Sequence, residues 1–213
     1  MEEIIGHRDN LIRALQFVPS ARGELAETRS GLSIEPNVGE KKLRTAAVLV
    51  PFILRNSGFT VLFTKRSEGL TDHAGQISFP GGCIDQGDRT LVDTAKRETF
   101  EEVGIAERAV EVITTLASVR TATGFIIHPI VGLVDSSVQL VTNPSEVAQV
   151  FEVPLTYLLR AENYQQELIE TSVGLQKYET IRYNKHRIWG ATASIIAQFR
   201  KRIDAFAQAR VNG

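Results

Sequence analysis

The chain has 213 residues, 43% apolar and 23% charged, enough for one large domain with a sizeable core. A formal net charge of −1 supplies no global field to draw in nucleic acid or an anionic membrane. A single cysteine, Cys83, excludes an internal disulfide framework and any multi-cysteine zinc site.

In residues 2–18, Ile4, Ile5, Leu11, Ile12, Leu15 and Phe17 predict a short amphipathic helix. The opening "MEEIIGHRDN" is acidic and lacks an apolar h-region, so no secretory signal is expected. Ser20 to Lys42, with Gly23, Gly31, Pro36 and Gly39, reads as a loop, which makes 1–42 an extension of a domain over 43–213. Strand patterns follow at Thr45–Leu54, Thr60–Thr64 and Gln76–Phe79. The apolar run "AAVLVPFIL" is too short for a membrane span and suits a buried strand.

Thr90–Val103 reads as a helix, opened by Thr90 with Asp93 three residues on and closed by Gly104 at the position of a C′ glycine. Strands are expected at Val110–Ser118, Phe125–Val134 and Ala148–Val153, then a short helix after Pro154. Two weaker strands near Glu167–Thr171 and Tyr178–Tyr183 precede a final helix over Gly190–Gln208. Strands flanked by separated helices predict an α/β fold with a mixed sheet covered on both faces. The ending "ARVNG" is not a peroxisomal address, and a cytoplasmic location is expected.

The helix carries "RETFEEVG" from Arg97 to Gly104. At about 100° per residue, Val92, Ala95, Thr99 and Val103 share an arc of about 80°, the face expected to meet the core. Glu98, Glu101 and Glu102 bunch beside it within about 100°. Glu98 and Glu102 stand at the i,i+4 spacing where like charges repel. A solvated face accommodates this, since glutamate is a strong helix former. A bound divalent cation would turn the repulsion into shared attraction.

Upstream, "ISFPGGCIDQGD" offers a strand end, a Pro-Gly-Gly turn and an acidic loop, where glycines let the backbone approach a ligand. From Gly81 to Ile105, "GGCIDQGDRTLVDTAKRETFEEVGI" resembles the signature box of the Nudix hydrolases. Arg97, Glu98, Glu101, Glu102, Gly104 and Ile105 match it in order and spacing. Asp88 stands at the early glutamate position, one extra residue separates it from Arg97, and Thr99 replaces an aliphatic residue. The preceding "LFTKRSEGLTDHAGQISFPGG", Leu62 to Gly82, resembles a second signature, that of the coenzyme A diphosphatase branch. Thr71 stands there in place of its second arginine. "TATGFIIHPIVGLV", "NPSEVAQVFEVPL" and "RIWGATASII" are also similar to that branch.

The resemblance implies a Nudix-type α/β/α sandwich and Mg²⁺- or Mn²⁺-dependent hydrolysis of the diphosphate of coenzyme A or its thioesters. It implies Glu98 and Glu102 as metal ligands, with the carbonyl of Gly82 as a further one. Glu101 would be another ligand or a proton acceptor, and Arg97 would hold a glutamate in place. Arg66, His73 and Gln76 would bind substrate. The partner would be a small nucleotide rather than nucleic acid or membrane, and the family is compatible with a homodimer. Other readings remain: a Nudix hydrolase of ADP-ribose or a dinucleoside polyphosphate, or a nucleotide sensor that does not cleave. A sensor has no need of the intact carboxylate set. Cys83 and Trp189 read as packing residues and His128 as a core or edge histidine, while His7 and His186 carry no signal.

Overall fold

The computed structural model describes residues 1–18, 43–70, 73–171 and 174–211. The expected loop from Ser20 to Lys42 and Thr71 lie outside them. Strand β1 (Arg44–Arg55) runs antiparallel to β2 (Gly58–Arg66) and parallel to β7 (Phe125–Val134), so the sheet is mixed as expected. Short strands β3 (Ile77–Ser78) and β4 (Gly81–Cys83) pair with β2 and β1. Strands β5 (Val110–Thr115) and β6 (Val119–Arg120) pair with β7, and β8 (Val147–Pro154) with β2, to complete eight strands.

The period-2 alternation of β1 divides the core in two. Val48, Val50 and Phe52 face a cluster shared with helix α2 (Arg8–Gln16), just after the short α1 (Glu2–Ile5), and with α5 (Gly190–Val211). Ala47, Leu49 and Ile53 face a cluster closed by α3 (Leu91–Val103) through Ala95 and Val103. The N-terminal apolar residues therefore form two helices, broken at Gly6–His7, and Leu11 and Leu15 are fully buried in the first cluster.

Helix α3 has the ends read from the sequence. Thr90 Oγ1 accepts from the Asp93 amide at 3.1 Å, a cap worth about 1 kcal/mol. Gly104 takes the left-handed conformation, φ 75°, that a C′ glycine supplies without steric cost.

The two weaker strands do not join the central sheet. Pro154 leads into α4 (Leu155–Leu159) and a 3₁₀ turn, Ala161–Asn163, which carries the chain away. β9 (Tyr164–Thr171) and β10 (Gly174–Tyr183) then build a second, antiparallel sheet with β11 (His186–Ile188). Among the described residues no helix is long and apolar enough to cross a membrane.

Candidate active site

The turn from β4 into α3 is organised by Arg97. Its Nε and Nη2 donate to both oxygens of Asp88 at 2.9 and 2.8 Å, and Nη2 also reaches the carbonyl of Cys83 at 3.2 Å. Its Nη1 donates to Glu98 at 2.9 Å and to Glu101 at 3.1 Å. Asp88 further accepts from Thr94 Oγ1 and the Asp85 amide, both at 2.9 Å. The Arg97 guanidinium, ahead of these other donors, holds the Asp88 carboxyl well below the usual carboxylate range. The extra residue before Arg97 is thus absorbed in the loop, and the bidentate pair still closes.

The glycines of β4 bring backbone against carboxylate. A Cβ on Gly82 would meet the Glu98 carboxylate at 2.5 Å, and one on Gly81 would meet the carbonyl oxygen of Ala47 at 2.4 Å. Only glycine permits this approach. The Gly81 amide donates to Glu102 at 3.3 Å.

Glu102 is the anomaly of the site. Its side chain is 3% exposed, and its ion-pair partner Arg66 lies 3.8 Å away, too far for a hydrogen bond. Burial pushes its carboxyl up to about 8, against the opposing pull of Arg66. Burial also raises Glu98, against the opposing hydrogen bond and positive charge of Arg97. Glu146 adds negative charge against both, while its own carboxylate accepts from Asn143 Nδ2 at 3.1 Å. The buried Arg66 Nε has no hydrogen-bond partner among the described residues. Two glutamates and an arginine are thus desolvated without full compensation, an arrangement found where charge has to be supplied to a ligand.

Arg66, His73, Gln76, Gly82, Glu98 and Glu102 line one cleft of about 710 Å³. His73 Nδ1 lies 3.1 Å from Gln76 Oε1 and its Nε2 3.2 Å from Thr123 Oγ1, which fixes the ring from both sides. Arg97 and Glu101 are not part of the lining, and the Glu101 side chain is 49% exposed. Sequence reasoning passed over Asp88 as a positioning residue and Glu146 as a third carboxylate. The spacing from Gly82 marked the first, and "NPSEVAQVFEVPL" contained the second without singling it out. Trp189, read as a packing residue, belongs to neither hydrophobic cluster and lines the cleft instead. His186, without signal in the sequence, is buried and stacked on Phe151 with ring centroids 3.8 Å apart.

The NUDIX domain family matches residues 43–171. Nudix hydrolase NudL of Photorhabdus laumondii is 40% identical over 160 residues, covering 75% of this chain and 85% of that protein. NudL of Yersinia enterocolitica is 38% identical over 192 residues, covering 89% and 98%. Among solved structures, a MutT/nudix family protein from Enterococcus faecalis overlaps 93% of this chain and 75% of its own at a TM-score of 0.48 and 15% identity.

Proposed function

The chain belongs to the Nudix hydrolase family, and from that premise we propose that it cleaves the diphosphate of coenzyme A or its thioesters, releasing 3′,5′-ADP and 4′-phosphopantetheine or its acyl form. One observation carries this reading. Arg66, His73 and Gln76 of the segment before the box share a single cleft with Glu98 and Glu102 of the box itself.

The donors suit a hard dication such as Mg²⁺ or Mn²⁺. Among the described residues no three His, Cys, Asp or Glu side chains form a ready-made cage. Mg²⁺ needs none, since it is commonly held by one or two carboxylates and completes its shell with water and substrate phosphate. Glu98 and Glu102, with the carbonyl of Gly82, would hold it, and the missing side chain at Gly82 lets the Glu98 carboxylate lie against that backbone. When bound, it neutralises phosphate charge and lowers the pKa of an attacking water.

The chain's own groups do the rest. Arg66, unsatisfied at Nε, donates to a phosphate oxygen, where a guanidinium forms strong charge-assisted bonds. His73, held by Gln76 and Thr123, presents a ring of fixed orientation to the substrate. Arg97 is a positioning residue that fixes Glu98, and Glu101 acts through it. Glu146 is the cleft carboxylate beside Glu98 and Glu102 that no arginine engages among the described residues, and it is assigned the water's proton.

The test is a substrate panel with mass detection, with and without Mg²⁺, containing free and acylated coenzyme A, ADP-ribose and NADH. Magnesium-dependent appearance of 3′,5′-ADP is expected. Cleavage of ADP-ribose with coenzyme A left intact would overturn the specific assignment.

A further inference from the structure

The family match stops at residue 171, but the cleft continues beyond it. Tyr178 of β10, Arg187 of β11, Trp189 at the junction after it and Ala191 at the start of α5 contribute to it, next to Ile169 of β9. Tyr178 and Trp189 meet edge to face, with centroids 5.4 Å apart and planes at 77°.

Ala191 packs against the first cluster, and the larger apolar side chains stand apart from it. Ile169 is only 7% exposed, yet Ile169, Tyr178 and Trp189 belong to neither hydrophobic cluster. Large apolar groups held out of the core and lining a cavity that also contains catalytic groups form a binding surface. The crossed rings offer no parallel pair of faces to sandwich a nucleobase. Two polar groups nearby are engaged, while Glu170 beside Ile169 is exposed at the cleft's edge. Thr192 Oγ1 donates to the carbonyl of Ile77 at 3.0 Å, and Arg187 pairs with Glu167 at 3.5 Å. What this wall offers is branched aliphatic surface and aromatic edge, which suits a flexible hydrocarbon chain.

We infer that Ile169, Tyr178 and Trp189 form the subsite for an apolar, chain-like arm attached to one side of the substrate's diphosphate. The inference rests on diphosphate cleavage at Glu98 and Glu102, and it assigns the chain-length preference to the second sheet rather than to the catalytic helix.

Trp189 is the chain's single tryptophan, so its emission reports on this wall directly. The full chain is titrated with acetyl-, hexanoyl- and dodecanoyl-coenzyme A and with 3′,5′-ADP, in EDTA and again in Ca²⁺. Emission is expected to shift to the blue with the acyl compounds, the more so the longer the chain, and to stay unchanged with 3′,5′-ADP. Affinity should tighten by up to about fourfold per buried methylene, the factor that corresponds to about 0.8 kcal/mol. Tyr178→Ala and Ile169→Ala keep the reporter and should each flatten that dependence, with unchanged thermal midpoints showing that the fold survives. An equal shift with 3′,5′-ADP, or no shift with any compound in either buffer, would overturn the subsite. Parallel turnover assays in Mg²⁺ separate the two readings. Chain-dependent emission in a protein that leaves coenzyme A intact sinks the proposed reaction and keeps the subsite. Equal kcat/KM for all chain lengths with silent emission does the reverse.

Discussion

Two arginine–carboxylate pairs flank the same helix and have opposite characters. At its N-terminal end Arg97 grips Asp88 with two bonds under 3 Å, and Thr94 and the Asp85 amide donate to the same carboxylate. Towards its C-terminal end Arg66 stops 3.8 Å short of the buried Glu102, leaving its own Nε unpartnered. The first pair lowers a carboxyl's pKa and the second fails to stop one from rising to about 8. Complete pairing makes scaffold, and incomplete pairing around the buried Glu102 leaves charge available for a ligand.

The strongest way to break this contrast is at the incomplete end. Glu98→Gln and Glu102→Gln should each lower turnover by at least about a hundredfold in saturating Mg²⁺, the scale for lost charge stabilisation at a transition state. Circular dichroism should show the fold retained. Near-normal rates in both variants would remove the site from consideration.

Arg66→Ala should weaken kcat/KM for coenzyme A by about 1.5–3 kcal/mol, the range for hydrogen bonds to charged groups. The loss on ADP-ribose should be clearly smaller, because that substrate lacks the additional phosphate. Equal losses would mean that Arg66 touches only the shared diphosphate.

At the complete end the effect should be structural first. Asp88→Asn leaves Arg97 without its bidentate partner and should cost about 1.5–3 kcal/mol at neutral pH, the range for hydrogen bonds to charged groups, read from urea unfolding. Because the Asp88 carboxyl is held below its ordinary value, its contribution is present above about pH 4 and is lost on further acidification. The variant should lack that acid-side loss. Wild-type stability in Asp88→Asn would show that the lock is dispensable.

The smallest effect sharpens the contrast by sign. Glu102 has a folded value of about 8, above the ordinary 4.5. Between these values the unfolded chain gives up a proton that the folded chain retains, so this group makes metal-free stability fall as pH rises. In EDTA, Glu102→Gln should remove that decline and raise the thermal midpoint at pH 8 by about 2–5 °C. A midpoint that drops in the variant would contradict the reading of an uncompensated buried charge.

The sequence by itself determined what short-range rules govern. Helix α3 begins at its Thr90 cap and ends at Gly104 because both signals act within one turn. β7 spans Phe125–Val134 as its apolar run predicts, and Glu98 and Glu102 share a helical face because 3.6 residues per turn dictates it. Tertiary structure alone decided which distant groups would meet. It placed Arg66 of β2 near Glu102 of α3, added Glu146 from the loop before β8, and closed the Asp88–Arg97 pair across an extra residue. It also took β9 and β10 out of the central sheet and set Trp189 into the cleft rather than the core. Local propensity and periodicity carry no information about such approaches. They arise only when packed layers fix which faces are buried, and with what partners.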